Sequence, residues 1–394
     1  MTLLMHSDGD SMSYKVKWCL STLACFGILA LLVNCSGSAN GTDSFSCLEN
    51  KEVFAYPVDQ WVDPSEKPTT IPPSATYWEI QYTDPLIGFP DQIIARGEDQ
   101  IWILGSRLLM YSISERGLAV YSLSRNGASD YPSEMYLAED GTLWLMGAQQ
   151  ERNGPLLSRF DDFSNTLLPI QDSRSILPTN SFGRGSISED SQGRLWLLVF
   201  GDGVYVYDPF LNEAEKVLDQ TMEDGSIIDS MAIDSNDNLW LGTGLTGVFR
   251  HVQVFNYQNG KLGVLPLGIN EDDIDNSLLV VDDRLWIGDY AYWTIGNELP
   301  KEGYSGLTKL VRSTVFLSQK YPNYNFRWIR PKVLMADSEG NIWYTSYGLV
   351  MLNPSTGVWC KVLDSDAIAI GIAQDSQGNY WTAMDNSLYK HWSR

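Results

Sequence analysis

Short apolar runs recur along most of this chain, each ended by a small polar turn. The stretch 230–243 is typical: SMAID, then the turn residues SNDN, then LWLGT. A Gly-rich link follows each such pair, and then a third apolar run, as in GVYVYD at 203–208 or GLVMLN at 348–353. A weaker fourth run usually closes the unit. Runs of this length, rich in β-branched and aromatic residues and bounded by Asp, Asn, Ser and Gly, predict strands joined by tight hairpins.

The units share a frame set by tryptophan. Trp102, Trp144, Trp196, Trp240, Trp286, Trp343 and Trp381 are each preceded by Ile, Leu or Tyr, and three residues before each stands Asp99, Gly141, Gly193, Asp237, Asp283, Gly340 or Gly378. Gly and Asp are residues that tolerate a left-handed backbone, as a tight hairpin requires. Six residues before the tryptophan, four units carry Asp190, Asp234, Asp337 and Asp375, so DSQGRLW at 190–196 nearly repeats as DSQGNYW at 375–381. A short carboxylate there can bond backbone N–H groups and close the turn. The tryptophan spacings run from 38 to 57 residues. Units of that size with about four short strands predict blades of a β-propeller, and seven tryptophans predict seven four-stranded blades. After Trp381 only SLYKHW at 387–392 remains for the last blade, so TYWEIQYT at 76–83 is expected to return as its outer strand and close the ring. The propeller is thus assigned to 76–394, all-β.

The DSxGNxWxGT…G pattern resembles the two-component-regulator propeller repeat of bacterial extracytoplasmic sensors, over about residues 85–394. The third, fourth, sixth and seventh units carry it best. In those sensors the propellers precede an immunoglobulin-like domain, a membrane helix and a kinase. The expectation here is the propeller module alone.

Charge and the N-terminus narrow the setting. The formal charge is −22. So acidic a surface repels phosphate backbones and anionic headgroups, which excludes nucleic acid as a partner of the body. Lys15 and Lys17 precede an apolar run from Trp18 to Val33, short for a membrane span and right for an export signal. It ends in Leu32-Val33-Asn34-Cys35, followed by SGSANGTDS. This resembles a bacterial lipoprotein signal, which makes residues 1–34 the leader, Cys35 the acylated residue and 35–75 a tether containing the Pro-rich DPSEKPTTIPPS. The expected location is the outer, exported side of a bacterial membrane, with the membrane touched only through lipid, and the expected state is a monomer. Cys47 and Cys360 remain after Cys19, Cys25 and Cys35 are accounted for. Either they form a disulfide between tether and body, or Cys360 packs on a strand and Cys47 is free.

The repeated tryptophans are read as core residues between blades. Departures from the repeat are better site candidates. Three links assigned to one rim are enlarged: AQQERNGP at 148–155, DYAYWTIGNELPKEGYSG at 289–306, read as the link between the second and third strands of blade 5, and QKYPNYNFRWIRPK at 319–332. The last two supply Tyr290, Tyr292, Trp293, Tyr321, Tyr324, Phe326 and Trp328, with Lys320, Arg327, Arg330 and Lys332 beside them. Flat rings next to guanidinium groups suit an acidic sugar or a peptide. The competing reading is a self-packed cover over the channel. Asp272, Asp273 and Asp275 in NEDDIDN offer oxygen ligands to Ca²⁺, but lack the EF-hand glycine and glutamate. The expectation is no cofactor, with Ca²⁺ the weak exception.

Two classes of function follow. One is a binding or interaction propeller outside the cell, sensory or scaffolding, for a glycan, peptide or protein. The other is an enzyme at the channel mouth. Streptogramin-inactivating lyases resemble the chain in their DGxxW turns, and the hairpin of sialidases resembles SEDSQGRLW at 188–196. The lyases use a channel-facing histidine. Here only His251 and His391 follow the leader, and both are predicted on third strands of different blades. No GxSxG, HExxH, CxxC or P-loop is present, so no catalytic residue is assigned.

Overall fold

The computed structural model describes residues 78–391, except for 84–86, 88–89, 91, 106, 122–130, 149–156, 172–175, 179–184, 223–224, 246–247, 267–276, 290, 297–306, 310–331, 346–347, 356–357, 365–370 and 385. Every regular element among them is a strand, and the strands form seven antiparallel sheets of four. Blades 1 to 6 span 92–121, 131–169, 185–219, 227–266, 278–309 and 332–364, each with its strands in chain order from the inside outward. Blade 7 takes its three inner strands from 372–391 and its outer strand from Trp78–Thr83. That strand pairs antiparallel with Ser387–His391, so the two ends of the chain fasten the ring. Each first strand packs against the first strand of the next blade, all the way round. At the closing junction the approach is tight. A Cβ on Gly371 would lie 3.0 Å from the backbone nitrogen of Ile93.

The tryptophan of each blade reaches into the next. Trp102 packs with Met135, Leu143 and Phe160 of blade 2. Trp196 packs with Ile228, Met231 and Leu241 of blade 4. Trp381 packs with Ile93, Ile103 and Tyr111 of blade 1. All seven are at most 4% exposed. The core is therefore seven wedges between blades, which is why one large flat residue per unit recurs.

The Asp six residues earlier explains the rest of the repeat. Asp190, Asp234, Asp337 and Asp375 are buried and accept the indole N–H of Trp196, Trp240, Trp343 and Trp381 at 2.8–3.0 Å. The same carboxylates accept backbone N–H groups two and four residues on, as at Asn236 and Asn238. One side chain thus closes the hairpin and orients the ring that fills the next wedge. Gly141, Gly193, Asp237, Gly340 and Gly378 take the expected positive φ. Blade 2 has Ala138 in place of the Asp, and blades 1 and 5, with Arg96 and Val280 there, build their turns otherwise. There the left-handed residues are Gly97 and Asp282. Asp99 instead binds Ser112 and the N–H of Ser114. Trp286 has no hydrogen-bond partner for its indole N–H among the described residues.

Blade 5 also corrects the strand assignment. Its third strand is Ala291–Thr294 and its fourth Leu307–Lys309. The second-to-third link is only 288–290, and the long segment 295–306 joins the third strand to the fourth. Antiparallel pairing sends such a link to the opposite rim. Residues 310–331 join blade 5 to blade 6. Short strands of two aromatics between small residues read as loop because they lack the length of their counterparts.

Candidate functional site

The first strands line the channel, and their polar side chains are stitched between blades. Gln92 donates to the carbonyl of Met135 at 2.8 Å and accepts its N–H at 2.6 Å. Glu134 accepts the N–H of Ile187 at 3.3 Å, and Ser277 that of Val333 at 3.0 Å. Ser186 and Ser230 stand at the equivalent register and their hydroxyl oxygens are buried without a partner among the described residues. Three first strands also change register, at Pro132/Glu134, Ile228/Ser230 and Val333/Met335. Each inserts one residue, Ser133, Asp229 or Leu334. Bulges of this kind re-aim side chains at the inner edge of a sheet.

Glu134 is the most perturbed carboxyl of this lining. Burial pushes it up to about 7, and Lys332 and the Ile187 N–H pull it only part of the way back. Glu134 belongs to blade 2 and Lys332 to blade 6, so the attraction between the two charges acts across the ring. Burial also raises Asp229, on the first strand of blade 4. A carboxyl poised near neutrality on a channel strand can take up or release a proton where a ligand enters. Its cost is testable. Folding raises the Glu134 pKa from an ordinary 4.5 to about 7. Below pH 4.5 the proton is bound in both states and there is no penalty; stability is lost as pH rises and the loss is complete above about 7. Glu134→Gln should therefore be more stable than wild type at pH 8, by on the order of 3 kcal/mol, and no more stable near pH 4.5. Thermal melts at the two pH values check this; a pH-independent difference would mean that Glu134 is not so perturbed.

Of the residues singled out from the sequence, Tyr292 and Trp293 are on the third strand of blade 5. Trp293 is 6% exposed and packs with Trp240, Leu285 and Ala291. Tyr292 lies 5.0 Å from Trp286, with the Arg284 guanidinium 5.0 Å over its ring. Both are built into the wedges on either side of blade 5. Tyr290, Tyr324, Arg327, Trp328, Arg330, the Asp272, Asp273 and Asp275 group, Cys35 and Cys47 lie outside the described residues. Cys360 is on the outer strand of blade 6, Val358–Asp364. His251 and His391 are on the third strands of blades 4 and 7, as expected. His251 contacts Gln253 at 2.9 Å, and His391 is 2% exposed with its ring 6.0 Å from Tyr380. Neither is on a channel strand. Among the described residues no three His, Cys, Asp or Glu side chains are grouped to hold a metal. Sequence reading passed over Glu134. Its only signal is its place, two residues before Tyr136, the partner of Trp144, where Ser186 and Ser277 stand in other blades.

The strands define a seven-bladed β-propeller with a polar channel. No protein-family model matches the sequence, and no curated protein does. Solved structures do match. The extracellular domain of the hybrid two-component system BT4673 from B. thetaiotaomicron aligns with TM-score 0.56 at 15% identity over 80% of this chain. The chain spans 42% of the length of that domain. A catalytically inactive variant of virginiamycin B lyase from Staphylococcus aureus, solved with quinupristin, aligns with TM-score 0.54 at 14% identity, covering 77% of this chain and 94% of the lyase. The Cps50 (Swd1) propeller domain of Myceliophthora thermophila aligns with TM-score 0.55 at 10% identity, over 80% of this chain and 100% of that domain. A sensor domain, a lyase and a Cps50 domain share one ring, so the likeness establishes the fold.

Proposed function

We propose that this chain is an exported, membrane-tethered recognition propeller, sensory or scaffolding, that binds a glycan, peptide or protein on one rim. The observation that carries the reading is the distribution of chain length around the ring. The link from blade 3 to blade 4 takes residues 220–226, whereas that from blade 5 to blade 6 takes 310–331 and contains Tyr321, Tyr324, Phe326, Arg327, Trp328 and Arg330. Tyr290 stands in the second-to-third link of blade 5. Long aromatic and arginine-rich links on a rigid scaffold suit recognition. The apolar run ending at Cys35 and the likeness to an extracellular sensor domain support the setting. A thermal-shift screen of the chain from residue 36 onward, against acidic oligosaccharides, peptides and Ca²⁺, tests it. A true ligand at a hundred times its Kd should add about 2.7 kcal/mol, and Trp328→Ala should abolish the gain. A ligand that stabilises both chains equally would place the site elsewhere.

Glu134 supports a second reading, catalysis in the channel, because a carboxyl near pKa 7 serves as acid or base at neutral pH. Turnover of a hit, lost in Glu134→Gln, would favour it.

A further inference from the structure

The rim opposite the blade-to-blade links takes the third-to-fourth turns, 295–306 of blade 5 among them, and carries three exposed apolar side chains at the tips of neighbouring hairpins. Phe163, in the third-to-fourth turn of blade 2, is 100% exposed. Phe210 and Leu211, in the same turn of blade 3, are 95% and 58% exposed. Neither turn is slack. In blade 2, Asp161 accepts the N–H of Ser164 at 2.9 Å, and the Arg96 guanidinium holds both oxygens of Asp162 at 2.7 and 2.6 Å. In blade 3, Asp208 accepts the N–H groups of Phe210 and Leu211 at 2.9 Å each, while Asn212 takes the Tyr207 hydroxyl at 3.0 Å and donates to the Gln171 carbonyl at 3.1 Å. The polar residues close the turns and the phenylalanines are left pointing out.

The same position in blade 7 is where the chain enters the ring. The third strand there ends at His391, the fourth begins at Trp78, and these two residues pair. Everything upstream of residue 78, including the apolar run 18–33, therefore joins the ring at the place that Phe163 and Phe210 occupy in blades 2 and 3. A tether attached there leaves this rim free to face the bilayer, with the rim of the blade-to-blade links turned outward. Aromatic tips suit the bilayer interface, and a single anchor gains much from a second apolar contact. The charge of −22 selects the lipid: zwitterionic headgroups tolerate this surface and anionic ones repel it.

We infer that Phe163, Phe210 and Leu211 form a docking face that rests on the surface of a zwitterionic phospholipid bilayer. The inference builds on the tethered reading above. The test reconstitutes the full chain in phosphatidylcholine vesicles doped with a photoactivatable diazirine lipid and maps the adducts by mass spectrometry. Adducts should fall on the peptides holding 163 and 210–211 and be absent around Arg107, which is exposed on the other rim. The Phe163→Ser, Phe210→Ser double variant should lose them on the order of tenfold, and anionic lipid should reduce them. Absence of adducts at both tips in the anchored protein overturns the inference. If the native protein then self-associates and the double variant does not, the face belongs to a second copy. The tether is judged separately: Cys35→Ser should move the protein from the membrane to the soluble fraction, and unchanged fractionation would sink that reading while leaving the adduct map intact.

Discussion

A chain that begins at residue 84 should melt about 7 °C or more below one that begins at residue 77. The difference between the two is the outer strand of blade 7, Trp78–Thr83, which pairs with Ser387–His391 through five Cα partners. Each lost hydrogen bond is worth about 1 kcal/mol, and a loss of about 5 kcal/mol moves a domain of this size by roughly that many degrees or more. The effect exceeds that of trimming a terminus because the strand covers others. Leu388, Tyr389, Lys390 and His391 are all at most 4% exposed beneath it. Without it, a buried ammonium group and a buried imidazole meet water and an open sheet edge appears. Equal melting of the two chains would show that the ring is held by its inner strands alone. Proteolysis should follow the same order, with cleavage near 387–391 only in the shorter chain.

Ring, blade number and closure were readable because they depend on one residue per unit in a fixed local frame. Trp196, Trp240, Trp343 and Trp381 announce themselves through the Asp six residues earlier, since one carboxylate serves both turn and indole. Trp102, Trp144 and Trp286 are harder to see, with Arg96, Ala138 and Val280 in that place. The misread part of blade 5 has the same root. Its first hairpin is one residue shorter, and Tyr292 and Trp293 read as an aromatic loop, whereas Trp293 and Ala291 face one wedge and Tyr292 the other. The channel was not readable at all. Glu134 is one of 49 acidic residues, and what sets it apart, burial among first strands and Lys332 across the ring, comes from residues far away in sequence. Local patterns report contacts within a hairpin; the chemistry of a propeller channel is made by all the blades at once.

The clip between aspartate and tryptophan makes the second strong prediction, that Asp375→Ala costs about 3–5 kcal/mol. Asp375 is 8% exposed and accepts the N–H of Gln377 at 3.0 Å, that of Asn379 at 2.8 Å, the Asn379 amide at 3.0 and 2.9 Å, and the Trp381 indole at 2.9 Å. Alanine strands these donors in a buried turn and frees the ring that packs against blade 1. Urea titration measures the loss. Blade 5 is the internal control. Trp286 fills its wedge without an acceptor for its indole N–H among the described residues, so Trp286→Phe should cost less than Trp381→Phe, which takes a donor from a buried carboxylate. Acid sensitivity should follow the clip too. Burial raises the pKa of Asp375, but the bonds from Trp381 and Asn379 outweigh it and hold the value below 3.8. Its stabilising contribution is therefore complete above pH 3.8 and lost as pH falls through the lower folded value. Asp375→Ala should show a shallower loss of stability below pH 4 than wild type. Parallel acid curves would mean that the carboxylate's charge contributes nothing and that the turn is held by its backbone.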